Sequence, residues 1–196
     1  MAKINPTLIP GRWRQGYALD VHILSSRFAG HDEFGHPRFE NTRSELGELL
    51  YRLKYGSDAT VVNEIVEAAT DFIEQWSPPV NCILPVPPTK VRNVQPVLLV
   101  AQGIAERLNL PLLAEALSKT KDTPQLKDIS DYDQRIALLK DAYKVDKIKT
   151  QDKNILLFDD LFRSGATMNA ITNALYDEGA ATDVFALTLT RTRSHA

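Results

Sequence analysis

From Gly16 to Ser26, "GYALDVHILSS", apolar and polar positions alternate closely enough to predict a strand. The stretch after it, "RFAGHDEFGHPRFEN", is polar and punctuated by Gly and Pro, which predicts a loop. "TRSELGELLYRLKYG" carries Leu46, Leu49, Leu50 and Leu53 at helical spacing. Thr42 with Glu45 three residues on reads as a capping box, and Gly56 as the stop. "ATVVNEIVEAATDFIEQW" predicts a second helix, ended by Ser77-Pro78-Pro79.

From there strands and helices alternate. "NCILPVP" predicts a buried strand, and "QPVLLVAQGIAERLNL" a helix with Pro96 in its first turn. "PLLAEAL" reads as a short strand, "SKTKDTPQLKDIS" as a lysine-bearing loop and "DYDQRIALLKDAY" as a helix. "NILLFDD" is a second buried strand, followed by a helix from about Gly165 to Asp177 with Gly179 as terminator. "TDVFALTLTRT" is the last strand. Short apolar strands separated by helices predict an α/β fold with a mostly parallel sheet flanked by helices. In such a sheet ligands bind at the carboxyl ends of the strands.

Composition adds boundaries rather than chemistry. A chain of 196 residues, 43% hydrophobic and 24% charged, is sized for one well-buried domain with a small appendage. The net charge of −2, with basic residues spread along the chain, does not indicate nucleic acid as a partner. One cysteine, Cys82, excludes an intrachain disulfide and a cysteine-built zinc site, and its apolar setting predicts a buried thiol. No apolar run approaches the roughly 20 residues a membrane span requires, so no membrane partner and a cytoplasmic location are expected.

The chemistry concentrates in "NILLFDDLFRSGATMNAI", Asn154 to Ile171. The strand reading puts Asp159 and Asp160 at its carboxyl end. The loop then delivers Ser164, Gly165, Ala166 and Thr167 to a helix start, where free N–H groups and the helix dipole favour a phosphate. Two carboxylates suit a vicinal diol or a Mg²⁺ ion. A ribose 5-phosphate unit therefore fits the stretch end to end, although an Asp pair after a strand also serves as a plain helix cap elsewhere. Neither G-x-x-x-x-G-K-[ST] nor G-x-G-x-x-G occurs.

"ILLFDDLFRSGAT" resembles the PRPP-binding signature of the type I phosphoribosyltransferases, PRPP being 5-phosphoribosyl 1-pyrophosphate. That signature is a hydrophobic run, two acids, two residues and Thr-Thr-Gly-x-Thr. Its acids fall on Asp159 and Asp160, and its second Thr, Gly and last Thr on Ser164, Gly165 and Thr167. Its first Thr falls on Arg163, a departure that removes a hydroxyl and adds a cation, either facing the phosphate or lying on the surface. Over about residues 43–193 the chain is similar to the ComF-like branch of that superfamily, through "LYRLKYG", "ILPVPPTKVRNVQPVLLVAQGIAERLNLPL", "KTKDTPQLKDISDYDQRIALLKDAYKV" and "LTLTRT". The Cys-rich zinc-binding segment often found in that branch is absent, and the loop "TKVRNVQ" is shorter than usual there.

The resemblance implies a type I phosphoribosyltransferase fold and a Mg²⁺-dependent transfer of ribose 5-phosphate from PRPP to a base or amine. Asp159 and Asp160 would be catalytic and would meet the metal mainly through PRPP. Arg163, Ser164, Gly165, Ala166 and Thr167 would bind the 5-phosphate, and Thr89, Lys90 and Arg92 the pyrophosphate. The alternative is a non-catalytic, ComF-like PRPP- or nucleotide-binding protein with a regulatory or competence-related role. Residues 1–42 are expected to form an N-terminal arm, with 12–42 as a hood over the acceptor, and 43–196 the α/β domain. The partners implied are PRPP and an unidentified acceptor, with a homodimer as the oligomer to test.

Three other groups have competing readings. Lys119, Lys121 and Lys127 lie in a segment that is either a lid or a plain surface loop. His31 and His36 in "HDEFGH" read as exposed loop histidines rather than metal ligands. Trp13 and Tyr17 in "GRWRQGY" read as a hydrophobic anchor rather than a stacking surface for a base.

Overall fold

The computed structural model describes residues 2–88, 95–120, 139 and 142–193. Among them a five-stranded sheet runs in the order β1 (Thr7–Leu8), β2 (Gln15–Val21), β9 (Asp183–Arg191), β8 (Asn154–Phe162), β5 (Cys82–Pro85). Only β1 is antiparallel to its neighbour; β2, β9, β8 and β5 are parallel. The expected α/β fold with a mostly parallel sheet is borne out.

Period-two alternation along the strands sends successive side chains to opposite faces, and both faces are covered. Leu156, Phe158 and Leu187 pack beneath α1 (Glu45–Tyr55), α2 (Val62–Trp76) and α3 (Pro96–Leu108). Ile155, Leu157 and Ala186 pack against Met168, Ile171 and Leu175 of a helix on the other face, Ala166–Asp177. Burial on both sides explains why β8 and β9 read as continuous apolar runs. Two short strands, β6 (Leu117–Lys119) and β7 (Tyr143–Val145), pair separately. With α4 for the short helix Lys147–Thr150, the helix Ala166–Asp177 is α5.

Several expectations need correction. The segment read as a loop after Ser26 is a hairpin of β3 (Ile23–His31) and β4 (Pro37–Arg43). Nearly all its residues are exposed, so no buried face imposes the alternation that would have revealed it. Asp32 closes the turn by accepting from the N–H groups of Phe34 and His36, with Gly35 at φ +80°. The cap of α1 is Ser44, whose hydroxyl accepts from Gly47 N–H at 3.0 Å; Thr42 belongs to β4. Tyr143, expected at a helix end, sits in β7, while residues 131–138, 140 and 141 of that expected helix lie outside the described residues. Of "PLLAEAL", Leu112 makes an isolated parallel bridge to Ile83 and Leu117 begins β6.

The expected hood also changes. Residues 15–21 are an interior strand of the main sheet, buried at Ala18 and Leu19, because β9 offers β2 a parallel partner. Only the β3–β4 hairpin leaves the sheet, and it does so at the carboxyl end of β2. His22 N–H donates to Arg191 O there, and the Arg193 guanidinium to Leu24 O.

Trp13 is an anchor, as expected. It is buried, its indole N–H donates to Ile9 O at 3.1 Å, and its ring meets Phe162 edge-on at 6.2 Å. Tyr17 packs edge-on against Phe72 and Trp76. Among the described residues no helix is long and apolar enough to cross a membrane.

Candidate functional site

The ladder between β5 and β8 ends at the pair Pro85–Phe158, whereas β8 runs on to Phe162 against β9. Asp159 and Asp160 are the first residues of β8 beyond the end of β5. As consecutive strand residues they leave the sheet on opposite faces, and both are half-buried. Asp159 lies on the α5 face, beside Thr188 in register, and its Oδ1 accepts from Asp160 N–H at 2.8 Å. Among the described residues the buried Thr188 hydroxyl has no hydrogen-bond partner.

Asp160 lies on the α1 face. Its Oδ2 is 2.8 Å from Lys54 Nζ, with the two side chains only 14% and 13% exposed. Around this pair stand His22, Arg43 and Glu48. The Arg43 guanidinium is 3.2 Å from Glu48 and lies 3.6 Å above the Tyr51 ring, and the Thr190 hydroxyl bonds His22 Nδ1 at 3.3 Å.

Burial, then the neighbouring Asp160, pushes Asp159 well above the usual carboxylate range, against the pull of the Asp160 N–H and Lys54. Burial, then Lys54 and Arg43, lowers His22, against Asp160 and Glu48.

After β8 the chain turns through Arg163 and Ser164 into Gly165, which adopts φ +75° and serves as the cap of α5. A β-carbon there would sit 2.8 Å from the Phe162 ring, so only glycine lets the turn pass this close. Among the described residues no side chain caps α5, which leaves N–H groups of its first turn open to an anion. Thr167, in that turn, is hydrogen-bonded to Tyr143, whose phenol burial and Asp159 push up to about 12.

The two acids and the Ser164–Thr167 run thus lie on one strand–turn–helix unit at the carboxyl edge of the sheet, as the sequence pattern predicts. Arg163 is exposed and, among the described residues, has no ion-pair partner. Thr89, Lys90 and Arg92 lie outside the described residues, as do Lys121 and Lys127; Lys119 ends β6. Sequence reasoning missed the places of Lys54, His22, Tyr143 and Thr190 around the acids. Lys54 comes from a helix 106 positions before Asp160, and no local spacing marks such a contact.

No family model matches the chain. The competence protein ComFC of Bacillus subtilis (strain 168) is 28% identical over 154 residues, covering 74% of this chain and 60% of ComFC. The chain thus spans about 60% of the length of that curated relative. Solved structures that align with it include adenine phosphoribosyltransferases from Leishmania donovani and Leishmania tarentolae. The first is 12% identical, with 95% of this chain and 86% of that one covered and a TM-score of 0.49. The second is 11% identical, with 94% of each chain covered and a TM-score of 0.48. The resemblance to the ComF-like branch, read from the sequence, is borne out by the similarity to ComFC.

Proposed function

We propose that the protein is a PRPP-dependent phosphoribosyltransferase, acting on an acceptor base or amine. The observation that carries this reading is the strand–turn–helix unit itself. Asp159 and Asp160 stand beyond the end of β5, and the start of α5 at Ala166 follows six residues after Asp160. In this reading the 5-phosphate rests on Ser164, Gly165, Ala166 and Thr167, with Arg163 adding a cation on its solvent side. The ribose hydroxyls bond to Asp159 and Asp160. Thr89, Lys90 and Arg92 take the pyrophosphate, and the β3–β4 hairpin roofs the acceptor.

The reaction breaks the bond from C1 of the ribose to the pyrophosphate oxygen, which leaves with the electron pair. The acceptor nitrogen forms the new bond at C1 and loses its proton. The protein's part is to hold the sugar phosphate, exclude water and place positive groups where charge collects on the leaving group.

Mg²⁺ fits the residues present in a limited way. Among the described residues no three His, Cys, Asp or Glu side chains converge into a cage. Mg²⁺ commonly takes one or two carboxylates plus substrate phosphates and water, and Asp159 and Asp160 offer that, directly or through the ribose. When bound, the ion would offset the charge of the departing pyrophosphate.

Calorimetric titration with PRPP and Mg²⁺ tests the pocket, and pyrophosphate release across a panel of bases and amines tests the activity. Tight binding lost in Asp160→Asn supports the site; unchanged binding in that variant overturns it. The second reading is a non-catalytic, ComF-like PRPP- or nucleotide-binding protein with a regulatory or competence-related role. Arg163, where the signature has a threonine hydroxyl, favours it. Binding without release against any acceptor is its expected signature.

A further inference from the structure

Two oxygens of the acid pair are already engaged by the protein. Asp159 Oδ1 accepts from Asp160 N–H, and Asp160 Oδ2 is held by Lys54. Among the described residues nothing else bonds to the two carboxyl groups, so Asp159 Oδ2 and Asp160 Oδ1 remain free to meet a ligand hydroxyl. That is one free oxygen per acid. A diol offers one hydroxyl to each.

The hold on Asp160 comes from outside the strand–turn–helix unit. Lys54 lies in the last turn of α1, between Leu53, which is in the core, and Gly56, which closes the helix through its N–H to Arg52 O. The lysine stem is covered and its ammonium has little water, so its charge is compensated by one carboxylate rather than by solvent. A paired ammonium of this kind fixes the rotation of the carboxylate plane. An unpaired carboxylate in the same place would turn away from Asp159 or take up a proton, and either change spoils it as an acceptor.

We propose that Lys54 is a positioning residue for the sugar. It holds Asp160 by Oδ2 so that Oδ1 stands ready for a ribose hydroxyl, and it acts only through Asp160. This role rests on the reading of the site as a ribose 5-phosphate pocket.

The test compares two probes, ribose 5-phosphate and 2-deoxyribose 5-phosphate, titrated calorimetrically into the parent, Lys54→Met, Lys54→Arg and Asp160→Asn proteins. A hydroxyl bonded to a carboxylate gives the parent a preference for the ribose form of about tenfold. Lys54→Met is expected to lower that preference to about twofold, with little change in affinity for the deoxy form. Lys54→Arg, which keeps a cation on Asp160, is expected to retain most of it. Adding Lys54→Met to Asp160→Asn is expected to change nothing further.

A general loss of structure would weaken both probes alike and leave their ratio unchanged, so the ratio separates positioning from support. If Lys54→Met does not fold, Lys54→Gln serves, because its side chain is one atom too short to reach Asp160. Full discrimination kept in Lys54→Met or Lys54→Gln overturns the role of Lys54 alone. A parent protein that binds neither sugar phosphate overturns the pocket reading and this role with it.

Discussion

The backbone N–H of Arg12 donates to Asn169 Oδ1 at 2.7 Å, clamping the segment before β2 onto the first turn of α5. Asn169 is itself buried, so the bond is shielded from water. Trp13, next in the chain, packs on Phe162, and Phe162 in turn lies against Gly165. The turn that opens α5 is therefore braced by residues more than 150 positions away in sequence.

Asn169→Ala should remove the clamp and leave the Arg12 N–H short of a partner. The expected loss is about 1–2 kcal/mol of stability, read by urea unfolding with an unchanged m-value. A loss within experimental error would mean that water replaces the side chain and the brace is not needed.

Gly165→Ala should cost more than Gly35→Ala. Both glycines have positive φ, but an added β-carbon meets nothing within 4 Å at Gly35 and the Phe162 ring at Gly165. The hairpin variant should lose about 1 kcal/mol from backbone strain alone. The Gly165 variant should lose at least about 1 kcal/mol more, as overpacking is added. Equal losses in urea melts would show that Phe162 yields freely.

His22 makes stability fall with acid. Its folded value lies below the ordinary histidine value of about 6.5, chiefly through burial and the nearby Lys54 and Arg43. The unfolded chain thus binds the proton more readily, and the contribution present above about 6.5 is lost as pH falls from there through the lower folded value. His22→Gln should flatten the pH dependence of unfolding below about pH 7. An identical slope in parent and variant would remove His22 from the account.

Cys82 should be inert while the protein is folded. Burial pushes its thiol up to about 11, and it is 1% exposed at the start of β5. A thiol reagent at pH 8 should label it only after denaturant is added. Rapid labelling of the native protein would show that this end of the sheet opens readily.

What the sequence revealed follows from where burial imposes a period. The second helix, read over 59–76, is the observed Ala59–Val61 turn and α2, because its apolar stripe faces the core. The motif from Asn154 to Ile171 was legible because strand, turn glycine and helix start are local features. The β3–β4 hairpin was not, since Phe28 and Phe39 meet each other in solvent rather than in a core. The Lys54–Asp160 pair was not either. Its lysine is spaced like any basic residue in the last turn of a helix, and only the packing of α1 against the sheet reveals its partner.

The position of β9 between β2 and β8 bears on how the molecule is made. While the chain emerges from the ribosome, residues 15–21 have no parallel partner until residues 183–191 are synthesised. Until then β2 is a strand with an open edge, exposed to chance pairing with other nascent chains. β9 acts as a keystone, joining β2 to the strand that carries the acids. Slow elongation between residues 21 and 183 would prolong the aggregation-prone interval, because this pairing cannot form until β9 is made.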